Sequence, residues 1–284
     1  MVYLNYNPSL QETTAMLFNA KNATLKLNNA NMDYIRFGSG SKALIILPGL
    51  GDGLRTVKGT ALPMALMYRK FAKEFTVYAF SRKQPPAQGC TTADMADDLK
   101  SAMDILNIPK AHILGVSMGG MIAQHLAVKY PNAVEKLVLT VTCPKADSVL
   151  VKSVSEWMQL AKQGDHTAFM DSNVKNIYSD KYYRRSRWLI PIIGAMTKPK
   201  SYERFLIQAE ACLAHDAYDG LCRISCPALI IGGEQDRVLG PEGSRLLAQA
   251  IPNSFLHMYL HYGHGLYEEA KDFNDVVLDF LTQS

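Results

Sequence analysis

Three features of this 284-residue chain predict an α/β fold with a mostly parallel sheet flanked by helices and an inserted helical lid. Short, continuous apolar runs recur along the chain, each closed by turn residues and followed by a helical pattern, which is the order a parallel sheet between helical layers requires. The alternation stops between Pro144 and Leu221, where helical periodicity and aromatic residues continue without a convincing strand. Composition agrees: 48% hydrophobic and 20% charged residues supply a packed core and argue against disorder.

In chain order, Met1–Ala23 is read as a helix that tucks under the core or contacts another subunit, so a homo-oligomer is compatible with it. The spacing divides the chain into an extension (1–24), a first core part (25–143), a helical cap or lid (144–221) and a second core part (222–284). Leu25–Leu27 and Met32–Arg36, joined by Asn28-Asn29-Ala30-Asn31, read as an antiparallel hairpin. Ala43–Leu47 is wholly apolar and stops at Pro48-Gly49, as a strand buried on both faces does. Phe75–Phe80, Ala111–Leu114, Lys136–Thr140, Ala228–Ile231 and Phe255–Tyr259 repeat the theme. Pro63 suits the first turn of a helix reaching Ala72. Thr91 can cap a helix to Leu106, and a third runs from Gly119 to Lys129, where Tyr130-Pro131 ends it.

Several functions are disfavoured. A net charge of +4, without a basic stripe interleaved with aromatics, is too weak for a nucleic-acid surface. No apolar run approaches the roughly 20 residues of a membrane span, and the first residues lack the basic and apolar regions of a secretory signal, so a cytoplasmic location is expected. Five cysteines (Cys90, Cys143, Cys212, Cys222, Cys226) form no regular framework; they read as reduced, mostly buried thiols, with no metal.

The strongest local signal is Gly115-Val116-Ser117-Met118-Gly119-Gly120, after a strand and opening a helix. In that context a G-x-S-x-G turn lifts its serine above the sheet, the glycines leaving room for strand and helix to close on it. A serine hydroxyl needs a base, and the base a carboxylate to orient it. Of seven histidines, His264 stands between glycines in a loop after the last strand, with His261 second. For the acid, Asp236 in the polar turn after Ala228–Ile231 is preferred over Glu234. The order Ser117, Asp236, His264 is the one this elbow class uses. An oxyanion would be held by the N–H of Met118 and by that of Leu50, in the glycine-rich turn Pro48–Gly53.

These motifs, with Pro131–Leu139 and Pro227–Asp236, resemble those of the α/β-hydrolase superfamily, from Leu25 to Leu281 apart from the insertion. The resemblance implies an eight-stranded, mostly parallel sheet, a helical cap after the sixth strand and catalysis without metal or organic cofactor. The chain departs from it at Pro48-Gly49, where many relatives have His-Gly, and at Ser81–Gly89, where Asp-x-Arg-Gly-x-Gly is common. The reading is a serine hydrolase cleaving a carboxylic ester of a small to medium apolar acyl substrate through an acyl-enzyme on Ser117. Alternatives with the same triad are carbon–carbon bond hydrolases, enol-lactonases and perhydrolases, or a non-catalytic receptor. Trp157, Tyr182 and Trp188 are the expected substrate contacts from the insertion. Lys181, Arg184, Arg185 and Arg187 read as a solvated face, with contact to an anionic substrate or surface as the alternative.

Overall fold

The computed structural model describes residues 18–27 and 29–283. One sheet of eight strands organises them: β1 (Lys21–Leu27), β2 (Ala30–Phe37), β3 (Lys42–Leu47), β4 (Phe75–Phe80), β5 (Ala111–Val116), β6 (Val134–Thr140), β7 (Ala228–Gly233) and β8 (Ser254–Tyr259). Their spatial order is β1-β2-β4-β3-β5-β6-β7-β8. Only the β1–β2 and β2–β4 pairs are antiparallel. β5 and β7 are buried along their whole length, which explains why His112 is their one polar side chain. The register sets the ends of the central strands side by side: Leu47 pairs with Gly115, Val116 with Thr140, and Thr140 with Ile231. The turns leaving β3, β5 and β7 therefore emerge along one edge, where open α/β sheets hold ligands.

Two expectations at the N-terminal side are corrected. The first strand begins at Lys21 rather than Leu25, because it lies at the sheet edge, where its outward positions are polar and carry no apolar signal. The helix expected for Met1–Ala23 falls, up to residue 17, outside the described residues. The helix expected over Pro63–Ala72 divides into Ala61–Met67 and Phe71–Glu74. The break lets Tyr68 turn into the core and stack on Phe71, with ring centroids 5.7 Å apart. Thr91 caps Thr92–Ile105 as expected, in a reciprocal pair with Asp94.

Between β6 and β7 run five helices: Ser148–Gln163, His166–Ile177, Asp180–Ser186, Ile190–Thr197 and Glu203–Leu213. Asp147 and Asp165 cap the first two by accepting the amides of Leu150 and Ala168, each at 2.9 Å. The segment is closed at its base, where the backbones of Lys145 and Asp216 pair in an isolated antiparallel bridge and the Ala146 amide donates to the His215 carbonyl at 2.9 Å. All five cysteines are free, and Cys90, Cys143 and Cys212 are buried. Among the described residues no helix is long and apolar enough to cross a membrane.

His215 also fastens the insertion to the core, its Nδ1 lying 2.9 Å from the Thr92 hydroxyl. Burial, then neighbouring His125, pushes its pKa down to about 3. Burial also lowers that of His112, in β5, to about 4. Both stay neutral in the folded state while the unfolded chain takes up protons near pH 6.5. Stability should therefore be complete above about pH 6.5 and fall with acidification, by at most about 1.4 kcal/mol per pH unit per group, until the folded pKa is reached. Denaturant melts between pH 7.5 and 4.5 check this, and His215→Asn should flatten the slope.

Candidate active site

Ser117 stands between β5 and the helix Met118–Lys129 with φ 54° and ψ −121°, a backbone conformation that L residues rarely hold. Such a position costs on the order of 1–3 kcal/mol and persists only where its surroundings enforce it. Here the enforcement is close packing. A Cβ on Gly119 would lie 2.0 Å from the Leu47 carbonyl oxygen, and one on Gly115 would lie 2.6 Å from that of Gly119. The Ser117 amide donates to the Thr140 carbonyl at 2.9 Å, tying the turn to the end of β6. Removal of side chains at 115 and 119 thus lets helix, β3 and β5 converge under the serine.

Three of the expected residues meet. His264 Nε2 lies 3.0 Å from Ser117 Oγ, and His264 Nδ1 lies 2.8 Å from Asp236 Oδ2. The other Asp236 oxygen accepts the amides of Val238 at 2.8 Å and Leu239 at 3.0 Å, so the carboxylate is held on both sides. His264 and Asp236 are buried. The two runners-up lie elsewhere: Glu234 pairs with Arg245 at 2.5 Å, and His261 is exposed. A hydroxyl, an imidazole and a fixed carboxylate in this sequence can move a proton from Oγ to the ring when Oγ attacks a carbonyl.

Leu50 opens the short 3-10 turn Leu50–Gly53, and Met118 opens its helix. Their amides are therefore among the first-turn N–H groups to which a helix offers no internal acceptor. Gly49 brings the first turn close, since a Cβ there would sit 3.3 Å from that of Ser117. A buried charge cluster, not foreseen from the sequence, holds this turn. Arg82 donates from Nη2 to the Pro48 carbonyl at 2.6 Å and from its amide to Asp52 Oδ2 at 3.1 Å. Arg204, on the last inserted helix, donates to both the carbonyl and the carboxylate of Asp52. The motif Pro48–Gly53 was legible, but the partners of Asp52 lie 30 and 152 residues away.

A cavity of about 470 Å³ opens over Ser117 and His264. Leu50, Met64, Met67, Trp157, Ile177 and Phe205 give it apolar walls. Asn173, Arg55 and Glu268 add polar groups. The surrounding side chains desolvate Glu268 and raise its pKa, although Tyr178 donates to it at 2.7 Å. Of the three expected substrate contacts, only Trp157 lines this cavity; its Nε1 donates to Ser172 Oγ at 3.2 Å. Tyr182 instead stacks on Tyr178, ring centroids 4.3 Å apart, and lines a separate outer groove. Trp188 is 67% exposed. Both are aromatic, a property that does not tell the inner face of a short helix from its outer face. Among the described residues no group of three or more His, Cys, Asp or Glu is placed to hold a metal ion.

Removing one partner from a buried ion cluster strands the remaining charge, at a typical cost of about 3–5 kcal/mol. Asp52→Asn, which leaves Arg82 and Arg204 together without their counter-charge, should lower the unfolding free energy by about that amount, read by denaturant titration. A loss below about 0.5 kcal/mol would mean the Asp52 cluster does not hold the turn.

Comparison with known proteins agrees with this fold. The family described as alpha/beta hydrolase fold matches residues 42–271. A 2-hydroxy-6-oxononadienedioate/2-hydroxy-6-oxononatrienedioate hydrolase of Paraburkholderia phymatum is 30% identical, over 87% of this chain and 89% of its own. A second of that name, from Pseudomonas putida, is 26% identical over 88% and 91%. The solved enol-lactonase of Burkholderia xenovorans superposes with a TM-score of 0.78 at 25% identity, covering 92% of this chain and 100% of that one. The chain is a hydrolase belonging to the alpha/beta hydrolase fold family.

Proposed function

We propose that this hydrolase cleaves a carbon–carbon bond beside a keto group in a small, conjugated oxo acid, with Ser117 as nucleophile, His264 as base and then acid, and Asp236 orienting His264. The observation that carries the serine mechanism is the continuous hydrogen-bonded series Asp236–His264–Ser117 opening onto the 470 Å³ cavity. That geometry serves ester, lactone and ketone carbonyls alike. The choice of a carbon–carbon bond is supported by the relatives named for hydroxy-oxo-dienedioates, and it displaces the ester as first reading.

Ser117 Oγ adds to the keto carbon as its proton passes to His264 Nε2, and the oxyanion rests between the Leu50 and Met118 amides. Collapse breaks the carbon–carbon bond. Its electron pair leaves with the carbon fragment, which must be conjugated to carry that charge, and the proton on His264 is delivered to it. Water then adds to the acyl group on Ser117 and gives its proton to His264. Release of the acid returns the proton to Oγ. Residues 144–221 act as the cap, since Trp157, Asn173, Ile177 and Phe205 close the cavity from that side. Enol-lactone or ester cleavage is the second reading, favoured by the enol-lactonase neighbour, and needs the same groups with an oxygen leaving group.

A substrate panel tests the choice. A 2-hydroxy-6-oxo-dienoate should be turned over with kcat/KM about 100-fold above any p-nitrophenyl ester, a difference of about 2.7 kcal/mol in the transition state. Ser117→Ala should lower kcat by a factor of about 10³ or more. Preference for the esters would restore the ester reading. Arg55 is the one Lys or Arg lining the cavity among the described residues. Arg55→Ala should raise KM for the dienoate about 10-fold, the loss of one exposed charge-assisted contact, and leave neutral esters unchanged.

A further inference from the structure

The inserted segment carries a surface that the reaction does not use. Within residues 181–200 there are six cations (Lys181, Arg184, Arg185, Arg187, Lys198, Lys200) and no Asp or Glu. All six are exposed. The whole chain has a net charge of +4, so the remainder outside this stretch nets −2. The positive charge of the molecule is thus concentrated on one piece of it.

Large apolar side chains share that piece. Met196 is 81% exposed, Trp188 67% and Ile192 54%, with Ile193 beside them. Helix Ile190–Thr197 seats its other face, Ile190 and Gly194, against the start of helix His166–Ile177, where a Cβ on Gly194 would meet Thr167 at 3.7 Å. Ile192 and Met196, four residues apart, therefore share the face left open. Exposed apolar groups flanked in sequence by exposed cations, with a tryptophan among them, match a layer whose surface is anionic and whose interior is hydrocarbon. A second copy fits poorly, since a two-fold contact would bring six cations against six. A nucleic acid would satisfy the charge but leave the apolar face uncovered.

We infer that residues 181–200 dock this protein peripherally on an anionic lipid membrane, Trp188, Ile192 and Met196 entering the interface while the arginines and lysines meet the headgroups. The surface borders a groove of about 750 Å³, lined by Lys181, Arg185 and Leu189 and sharing Glu268 with the catalytic cavity. The inference rests on charge and exposure, and stands whichever bond the enzyme cleaves.

Vesicle flotation of the intact chain is the test. Retention on phosphatidylcholine/phosphatidylglycerol vesicles should exceed that on phosphatidylcholine alone at least about 10-fold, and fall as salt rises. Ile192→Glu/Met196→Glu and Arg184→Glu/Arg185→Glu should each remove most of it with unchanged circular dichroism, because these residues are exposed. Emission of Trp188 should shift to the blue on anionic vesicles, a change absent in Trp188→Phe. Equal retention on both vesicle types, or no retention, overturns the inference. Retention insensitive to Ile192→Glu/Met196→Glu does so too, as does a sedimentation-detected dimer that this variant dissociates without vesicle binding.

Discussion

The site depends on how closely the helix Met118–Lys129 approaches the ends of β3 and β5. A Cβ on Gly119 would fall 2.0 Å from the Leu47 carbonyl, so only glycine permits the observed distance. That approach forces Ser117 to φ 54°, directs Oγ out of the sheet, and sets the Met118 amide beside the turn that begins at Pro48. Asp236 and His264 arrive by the same logic from the loops after β7 and β8, because the parallel register of β5 to β8 ends these strands along one edge. The strain at Ser117 is tolerable because fully buried strands surround it.

A second constraint links the insertion to the core. Asp52 is buried between Arg82, which follows β4, and Arg204, which belongs to the last inserted helix. Desolvation, then Arg204 nearby, lowers the Arg82 pKa, while Asp52 acts against the shift. A carboxylate in that position ties the Leu50–Gly53 turn to both layers, so the seating of the insertion and the shape of the turn beside Ser117 are one structural problem. Arg237, one residue after Asp236, reaches the same insertion through the Lys175 carbonyl at 3.2 Å and Asp180 at 2.8 Å. Gly265, next to His264, donates to the Ile177 carbonyl at 2.7 Å. The loops bearing Asp236 and His264 thus both grip the insertion.

The elements that could be read in advance were those with strong local chemistry. The central strands announce themselves by two-sided burial, Thr91 by its capping pair, and Ser117, Asp236 and His264 by position relative to strand ends. What was hidden is what depends on distance along the chain or on which side of a helix faces inward. Asp52 looked like one residue of a glycine-rich turn until Arg204 arrived from 152 residues away. Trp188 and Tyr182 share with Trp157 the aromatic character of a pocket wall, yet only Trp157 sits on a helix long and amphipathic enough to fix its orientation. The bond proposed for cleavage had no local signature for a different reason: the proposed serine, imidazole and two amides would treat any activated carbonyl alike, and selection would lie in the cavity walls.

The measurement closest to the central claim is intact-mass analysis after exposure to a small fluorophosphonate, with peptide mapping of the adduct. The account predicts a single adduct on Ser117, strongly slowed in His264→Ala, because Oγ is nucleophilic only while the imidazole takes its proton. No adduct, one on another residue, or labelling of Ser117 at an unchanged rate in His264→Ala would contradict it.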